Sequence, residues 1–215
     1  SLSPEAALLA WDVERLFTNL SVDTCCAAIM ALWDAVTTHV GHAKGATHLY
    51  ASMSSDAHRW FQANNAPAGP KGKDRDGKYY VYTRDQFELL LRTLLHHAYV
   101  SYRGTLYRQT RGVAMGANFA SFVANLTLAW YEFKFERQLV SALRDSALPP
   151  WRQHAAAGIL SAFRFTWRYA DDLYAIVNSL LGHLLYEDNT YVGFHGIYPR
   201  DISLALSRSC PYPPP

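Results

Sequence analysis

The segment Phe163-Arg-Phe-Thr-Trp-Arg-Tyr169-Ala170-Asp171-Asp172-Leu173-Tyr-Ala-Ile-Val177 decides the fold. Phe163, Phe165, Trp167 and Tyr169 alternate with Arg164, Thr166 and Arg168. Leu173, Ala175 and Val177 then alternate with Tyr174 and Ile176, the period-2 signature of two strands. Asp171 and Asp172 therefore sit at a hairpin tip. Adjacent carboxylates repel each other, and a pair at the end of an otherwise apolar hairpin calls for a positive partner such as a divalent metal. Asp is also a favoured turn residue, so the hairpin alone leaves both readings open.

A second strand-end acid lies early in the chain. Leu8 to Val13 is a short apolar run that fits a buried strand, and it places Asp12 at its C-terminal end. Ser21 can cap the next segment, a helix to about Val40 with Val22, Cys25, Cys26, Ile29, Leu32, Trp33 and Val36 at helical spacing. Gly41 to Lys78 loses all period. It reads as an inserted loop, with at most a short helix near Ser55 to Gln62 and a charged run, Lys71 to Lys78, that suits a solvated linker better than a nucleic-acid contact.

Tyr79 to Tyr82 suits a short strand. Thr83-Arg-Asp-Gln86 then forms a capping box that opens a helix with Phe87, Leu90, Leu91, Leu94 and Leu95 on one face. His96 and His97 are neighbours on a helix and do not converge on one ligand, so they read as a surface or core-edge pair rather than a metal site. Tyr99 to Arg108 looks like a small hairpin turning at Arg103-Gly104.

Gln109-Thr-Arg-Gly112-Val-Ala-Met115-Gly116 leads into a helix expected from Ala117 to about Leu143, apolar nearly all round and hence largely buried. Asn118, Ser121, Asn125 and Glu132 lie within about 60 degrees of one another on it. Such a stripe is either a satisfied polar seam or a surface offered to a polar ligand. The glycines permit close backbone approach, and amides at the helix start suit a phosphate. After Pro149-Pro150 come a short helix at Arg152 to Ala162, the acidic hairpin, a helical turn at Leu180 to Leu185 and a last strand through Ile202, Leu204 and Leu206.

Composition narrows the classes. Half of the 215 residues are apolar and 14% aromatic, which excludes general disorder and suits one good core. Twenty Lys and Arg against 18 Asp and Glu leave a charge of +2, so any basic surface must be local. Three cysteines, two of them adjacent, form neither a disulfide framework nor a zinc site. No run is long enough to span a membrane. The chain opens without a methionine in Ser-Leu-Ser-Pro and closes in a proline-rich stretch, 210–215, and so is expected to be a piece of something longer.

Antiparallel neighbours would bring Asp12 and Asp171 together to hold two Mg2+ ions about 4 Å apart, the arrangement that nucleotidyl transfer requires. The motifs resemble the palm of a reverse transcriptase, close to Penelope-like retroelements, whose polymerase domains are similar to telomerase. Asp12-Val-Glu-Arg-Leu-Phe-Thr-Asn-Leu20 matches the first palm motif, Gln109 to Glu132 the second and Arg168 to Leu173 the third, while Ile197-Tyr-Pro-Arg-Asp-Ile202 resembles a further one. The resemblance implies an α+β polymerase palm of the right-hand type, a small antiparallel sheet packed on helices, spanning 1–209 with 41–78 inserted.

It further implies an RNA-directed DNA polymerase with Asp12, Asp171 and Asp172 as catalytic metal ligands for two Mg2+ ions, or Mn2+. Val13, Phe17, Gln109, Met115 and Gly116 would line the incoming deoxynucleotide, with Phe17 blocking a ribose 2'-hydroxyl. Gly112, Asn118, Ser121, Asn125 and Tyr169 would meet the RNA template and DNA primer. A nuclear, intracellular location goes with a eukaryotic retroelement. Ser121 stands where related sequences commonly carry proline, and no lysine follows Lys134 to act as general acid, Arg200 being a poor substitute. Only eleven residues precede Asp12, so full fingers and thumb are expected to be missing, with poor or no activity in the fragment alone. The rival readings are a non-catalytic nucleic-acid-binding relic and another palm enzyme such as a nucleotide cyclase.

Overall fold

The structure is a computed structural model that describes residues 8–39, 45–52, 58–61, 79–176, 178 and 180–210. Its elements in chain order are β1 (Leu8–Val13), α1 (Leu16–Asn19), α2 (Val22–His39), β2 (His48–Ser52), β3 (His58–Phe61), β4 (Tyr79–Thr83), α3 (Arg84–His96), β5 (Tyr99–Tyr102), β6 (Thr105–Arg108), α4 (Ala120–Arg144), α5 (Pro150–Phe163), β7 (Thr166–Tyr169), β8 (Asp172–Ile176), β9 (Thr190–Tyr191), β10 (Phe194–His195) and β11 (Leu204–Cys210). The fold is α+β, with small antiparallel sheets and, among the described residues, five helices. The chain divides into two compact units, one of residues 1–21 with 111–215 and one of 22–110.

The first unit is built on a four-stranded antiparallel sheet in the order β11-β1-β8-β7. Its register sorts side chains onto two faces, because directly paired residues point the same way and the period is 2. Trp11 pairs with Leu173 and Arg168 with Leu173, so these share the face that also holds Ala175. Asp12 pairs with Asp172, Tyr169 with Asp172 and Trp167 with Tyr174, so the acids and the aromatics of β7 share the opposite face. Leu173 and Ala175 are buried, whereas Tyr169 and Trp167 are exposed.

The register settles which way β7 faces. Its aromatics point outward and its arginine inward, because Arg168 finds an acid on a helix and an aromatic ring can stay wet at modest cost. The helix expected to be largely buried is in fact buried on one face only. Val123, Ala124, Thr127, Leu128, Phe135, Leu139 and Ala142 of α4 are buried, while Phe122 and Leu126 are exposed. Thr127 satisfies its buried hydroxyl by donating to the Val123 carbonyl at 2.7 Å. Helix α5 packs along α4, and the Phe135 and Phe163 rings meet with centroids 4.9 Å apart.

In the second unit, α2 and α3 pack together, with Trp33 and Phe87 in ring contact at 5.1 Å. The capping box is present: the Thr83 hydroxyl accepts from the Gln86 amide at 3.3 Å and the Gln86 side chain accepts from the Thr83 amide at 2.9 Å. Arg84 donates to both Asp34 oxygens at 2.7 and 2.9 Å, tying α3 to α2. His96 and His97 are exposed, as their neighbouring positions implied.

Within the expected loop 41–78, β2 and β3 pair with each other, and β2 with β4, in the order β3-β2-β4. Residues 58–61 are therefore strand, not part of a short helix over Ser55 to Gln62. Short strands of mixed polarity carry little period, and here pairing overrides local propensity, β3 with β2 across a short connection and β2 with β4 some thirty residues on. The charged run Lys71 to Lys78 and the proline-rich 211–215 lie outside the described residues.

Gly196 marks a tight crossing in the first unit. A Cβ there would lie 2.6 Å from the Leu184 carbonyl oxygen and against that of Tyr186, both backbone atoms. Gly182 has open space around it. Gly196→Ala is expected to cost about 1–3 kcal/mol in urea unfolding, while Gly182→Ala stays within about 0.5 kcal/mol; equal effects would contradict this packing.

Candidate functional site

Three acids meet where β1 ends and the β7–β8 hairpin turns. Asp12 is the cross-strand partner of Asp172, and Asp171 occupies the turn between β7 and β8. The Val13 amide donates to the Asp171 carbonyl at 2.9 Å, which locks the turn to the end of β1. Asp12 is half-buried and its carboxyl is pushed above the usual carboxylate range, first by burial and then by the charges of Asp171, Asp172 and Glu14. Tyr174 lies two residues beyond Asp172 on the same face, and its phenol pKa is raised, first by the neighbouring Asp172 carboxylate as an acceptor and then by desolvation.

The turn itself is strained and held. Ala170 has φ of 53 degrees, a left-handed conformation that costs an L residue about 1–2 kcal/mol. Arg168 Nη1 donates to the Ala170 carbonyl at 2.8 Å and to Asn125 Oδ1 at 2.7 Å. Its Nε and Nη2 donate to the two Glu132 oxygens at 2.5 and 3.3 Å. The hydroxyl of the fully buried Tyr198 donates to Glu132 Oε1 at 2.6 Å.

The Arg168 side chain is 9% exposed. Burial alone would lower the pKa of this guanidinium, but the Glu132 hydrogen bonds and charge outweigh it and the net shift is upward. The Tyr198 phenol is held well above its ordinary value by burial and then by Glu132. One guanidinium thus ties β7 and the acidic turn to α4.

The expected site residues divide. Asp12, Asp171 and Asp172 come together, and Tyr169 is 77% exposed on the face that carries Asp12 and Asp172. Met115 and Gly116 are exposed just before α4, and Asn118 and Ser121 are exposed at its start. Phe17 is half-buried on α1. Val13 is 2% exposed and its amide is committed to Asp171, so it positions the turn. Gln109 belongs to the second unit, where its amide donates to Ala98.

Gly112 has φ of 77 degrees, and a Cβ there would lie 2.7 Å from Thr18 Cα and against the Phe17 carbonyl. Its close approach is to the chain's own backbone, reinforced by the Val113 amide donating to Phe17 at 2.6 Å. The amides of Ala117 and Ala120 are consumed in turns to Ala114 and Ala117, so the start of α4 offers fewer free donors than its sequence promised. Asn125 and Glu132 belong to a satisfied seam, whereas Asn118 and Ser121 remain open surface.

Among the described residues no group of three or more His, Cys, Asp or Glu side chains stands ready to hold a metal ion. The chemistry of the acids nevertheless fits Mg2+, which takes hard oxygen ligands and is commonly held by one or two carboxylates with substrate phosphates completing the shell. A cleft of about 340 Å³ lined by Glu132, Arg168 and Tyr198 includes none of the three acids. The Arg168–Glu132–Tyr198 cluster was missed from sequence. Its signal was Glu132, an acid on a mostly apolar helix with no cation three or four residues away on that helix.

No protein-family model matches the sequence, and none of the curated proteins matches it. Among solved structures, telomerase from Candida albicans, in complex with the TWJ fragment of telomeric RNA, is similar with a TM-score of 0.44 at 13% identity. The match covers 95% of this chain and 28% of that one, so the chain spans little more than a quarter of that protein's length. No helix among the described residues is long and apolar enough to cross a membrane.

Two outcomes test this geometry. Glu132→Ala, which leaves Arg168 charged and unpaired, is expected to lose about 3 kcal/mol in denaturant unfolding, and adding Arg168→Met to recover much of it; additive losses would mean the pair is not coupled. The raised Asp12 pKa also sets a sign. Well below 3.8, Asp12 is protonated in both folded and unfolded chains and no penalty exists. As pH rises through its elevated folded value, the folded chain loses stability relative to the unfolded. Asp12→Asn is therefore expected to melt above the parent at neutral pH without divalent cation, the gap closing toward acid; a gap that widens toward acid contradicts the cluster.

Proposed function

We propose that this chain is the palm segment of an RNA-directed DNA polymerase of the Penelope-like type, adding deoxynucleotides to a primer 3'-hydroxyl on an RNA template with two Mg2+ ions. The observation that carries this reading is the meeting of Asp12, Asp171 and Asp172 at adjoining strand ends of an antiparallel sheet. Asp12 and Asp171 would hold the ions, with Asp172 supporting them. Bound there, Mg2+ would lower the pKa of the attacking hydroxyl and neutralise charge on the transferring phosphate.

The chain's own residues then have separable tasks. The Val13 amide fixes the Asp171 backbone, and Arg168 holds the turn through Ala170, so the acids are preorganised by the sheet and α4. Phe17, pinned through its carbonyl by Val113, would exclude a ribose 2'-hydroxyl. Met115 and Gly116 would pack against the nucleotide, and Asn118, Ser121 and the exposed Tyr169 against template and primer.

A second reading, a nucleic-acid-binding relic of such an element without catalysis, is favoured by one observation: no ready metal cluster stands among the described residues. Primer extension on an RNA template with Mg2+ and deoxynucleotides separates the two, using this chain and a version carrying its natural flanking sequence. Extension that Asp171→Asn reduces by about 100-fold or more, with the fold intact, is expected for the polymerase. Unchanged extension by that variant rules out the metal assignment, and binding without extension in either form supports the relic.

A further inference from the structure

The β5–β6 hairpin of the second unit has no part in the carboxylate site, yet its surface is unusual. Every residue of both strands is exposed, so neither face of the ribbon is covered by the described residues. Tyr99, Val100, Tyr102, Leu106 and Tyr107 are each more than half exposed. A two-stranded hairpin with both faces in water is marginal by itself, and aromatic residues are a costly choice for it unless something covers them.

Charge points to the occupant. Tyr99 to Arg108 holds three tyrosines, Arg103 and Arg108, and no acid, in a chain whose overall charge is nearly balanced. Neither arginine pairs with a described carboxylate. The Arg103 guanidinium lies 5.2 Å from the centre of the Tyr102 ring, which places positive charge at the edge of an aromatic platform.

The turn adds an independent sign. Arg103 and Gly104 are its two central residues, with φ of 50 and 79 degrees, the pattern of a tight hairpin turn that favours Asn-Gly. An arginine in the left-handed region costs about 1–2 kcal/mol against the residue the turn prefers. Strain of this kind at an exposed tip is where function is sought.

Register fixes which groups act together. Val100 pairs with Tyr107 and Tyr102 with Thr105, so Tyr102 and Tyr107 share one face as diagonal neighbours about 7–8 Å apart. Tyr99, Ser101, Leu106 and Arg108 share the other. The Tyr102 face carries rings but no side chain suited to forked readout of base edges, so a ribbon lying in a duplex groove fits poorly. A duplex also keeps its bases stacked on one another. A single strand offers both unstacked π-faces and phosphates, the two things that tyrosines and unpaired arginines recognise without sequence preference.

We propose that the β5–β6 hairpin is a binding platform for single-stranded nucleic acid, with Tyr102 and Tyr107 stacking on bases and Arg103 at the tip meeting the backbone. This goes beyond the polymerase reading and stands without it, because it uses none of the three acids and needs no metal. Binding is therefore measured in EDTA, without nucleotides, as fluorescence anisotropy of a labelled mixed-sequence single-stranded oligonucleotide titrated with the full 215-residue chain.

Tyr102→Ala and Tyr107→Ala are each expected to weaken Kd by about 5- to 100-fold, while Tyr102→Phe, which keeps the ring, stays near the parent. Arg103→Asn guards against misfolding, since Asn suits this turn at least as well as Arg. It is expected to melt no lower than the parent, yet to lower the slope of log K against log salt by about 0.7. Parent-like affinity and slope in Arg103→Asn together with parent-like Kd in both Tyr→Ala variants overturn the proposal. So does tighter binding of a duplex of the same sequence. Concentration-dependent self-association, abolished by the Tyr→Ala variants with no oligonucleotide bound, assigns the hairpin to a second copy of the chain and overturns it equally.

Discussion

The Arg168 guanidinium is the constraint on which the first unit depends. It is almost fully buried, it spends its donors on Glu132, Asn125 and Ala170, and through them it joins an edge strand, a helix and the acidic turn. A buried ion pair is weak evidence of net stability, because desolvation offsets most of its Coulomb energy. Its value here is geometric. An apolar residue at 168 could fill the space, but would not choose one rotation of α4 or hold a left-handed alanine in the turn.

That clamp explains how the unit carries an unfavourable cluster. Asp12, Asp171 and Asp172 repel each other, and burial adds to the cost at Asp12. The repulsion is not relieved by moving apart, since the backbone positions of all three are set elsewhere. Asp12 and Asp172 are cross-strand partners, and the Asp171 carbonyl accepts from the Val13 amide. Local consistency is broken at one place and enforced by the surrounding sheet, the usual mark of a functional position. The same sheet keeps a face with Leu173 and Ala175 buried and a face with exposed Tyr169 and Trp167, so the acids stand on the side left open.

The second unit shows a different balance. Its helices are joined by legible local devices, the Thr83 capping box and the Arg84 fork on Asp34. Its hairpin β5–β6 is held mainly by its own ladder and presents aromatic surface in both directions. The short strands β2 and β3 depend on long-range pairing with each other and with β4.

What the sequence by itself determined were features written in adjacent residues. These are the strand carrying Asp12, the acidic hairpin, α2, α3 with its capping box, the β5–β6 turn and α5, because period and cap chemistry act over a few positions. It also placed Asp12 at a strand end, from which its meeting with Asp171 and Asp172 followed. Tertiary structure alone decided which face of each element was buried. Alternation in β7 shows two faces but not which one meets α4, and Arg168 turned inward because Glu132, thirty-six positions earlier, offers its guanidinium a carboxylate. Gly112 was legible as a close approach, but only packing showed that the approaching partner is the Phe17–Thr18 backbone. Strands β2 and β3 stayed hidden for the same reason: their hydrogen bonds lie between segments that no local pattern connects.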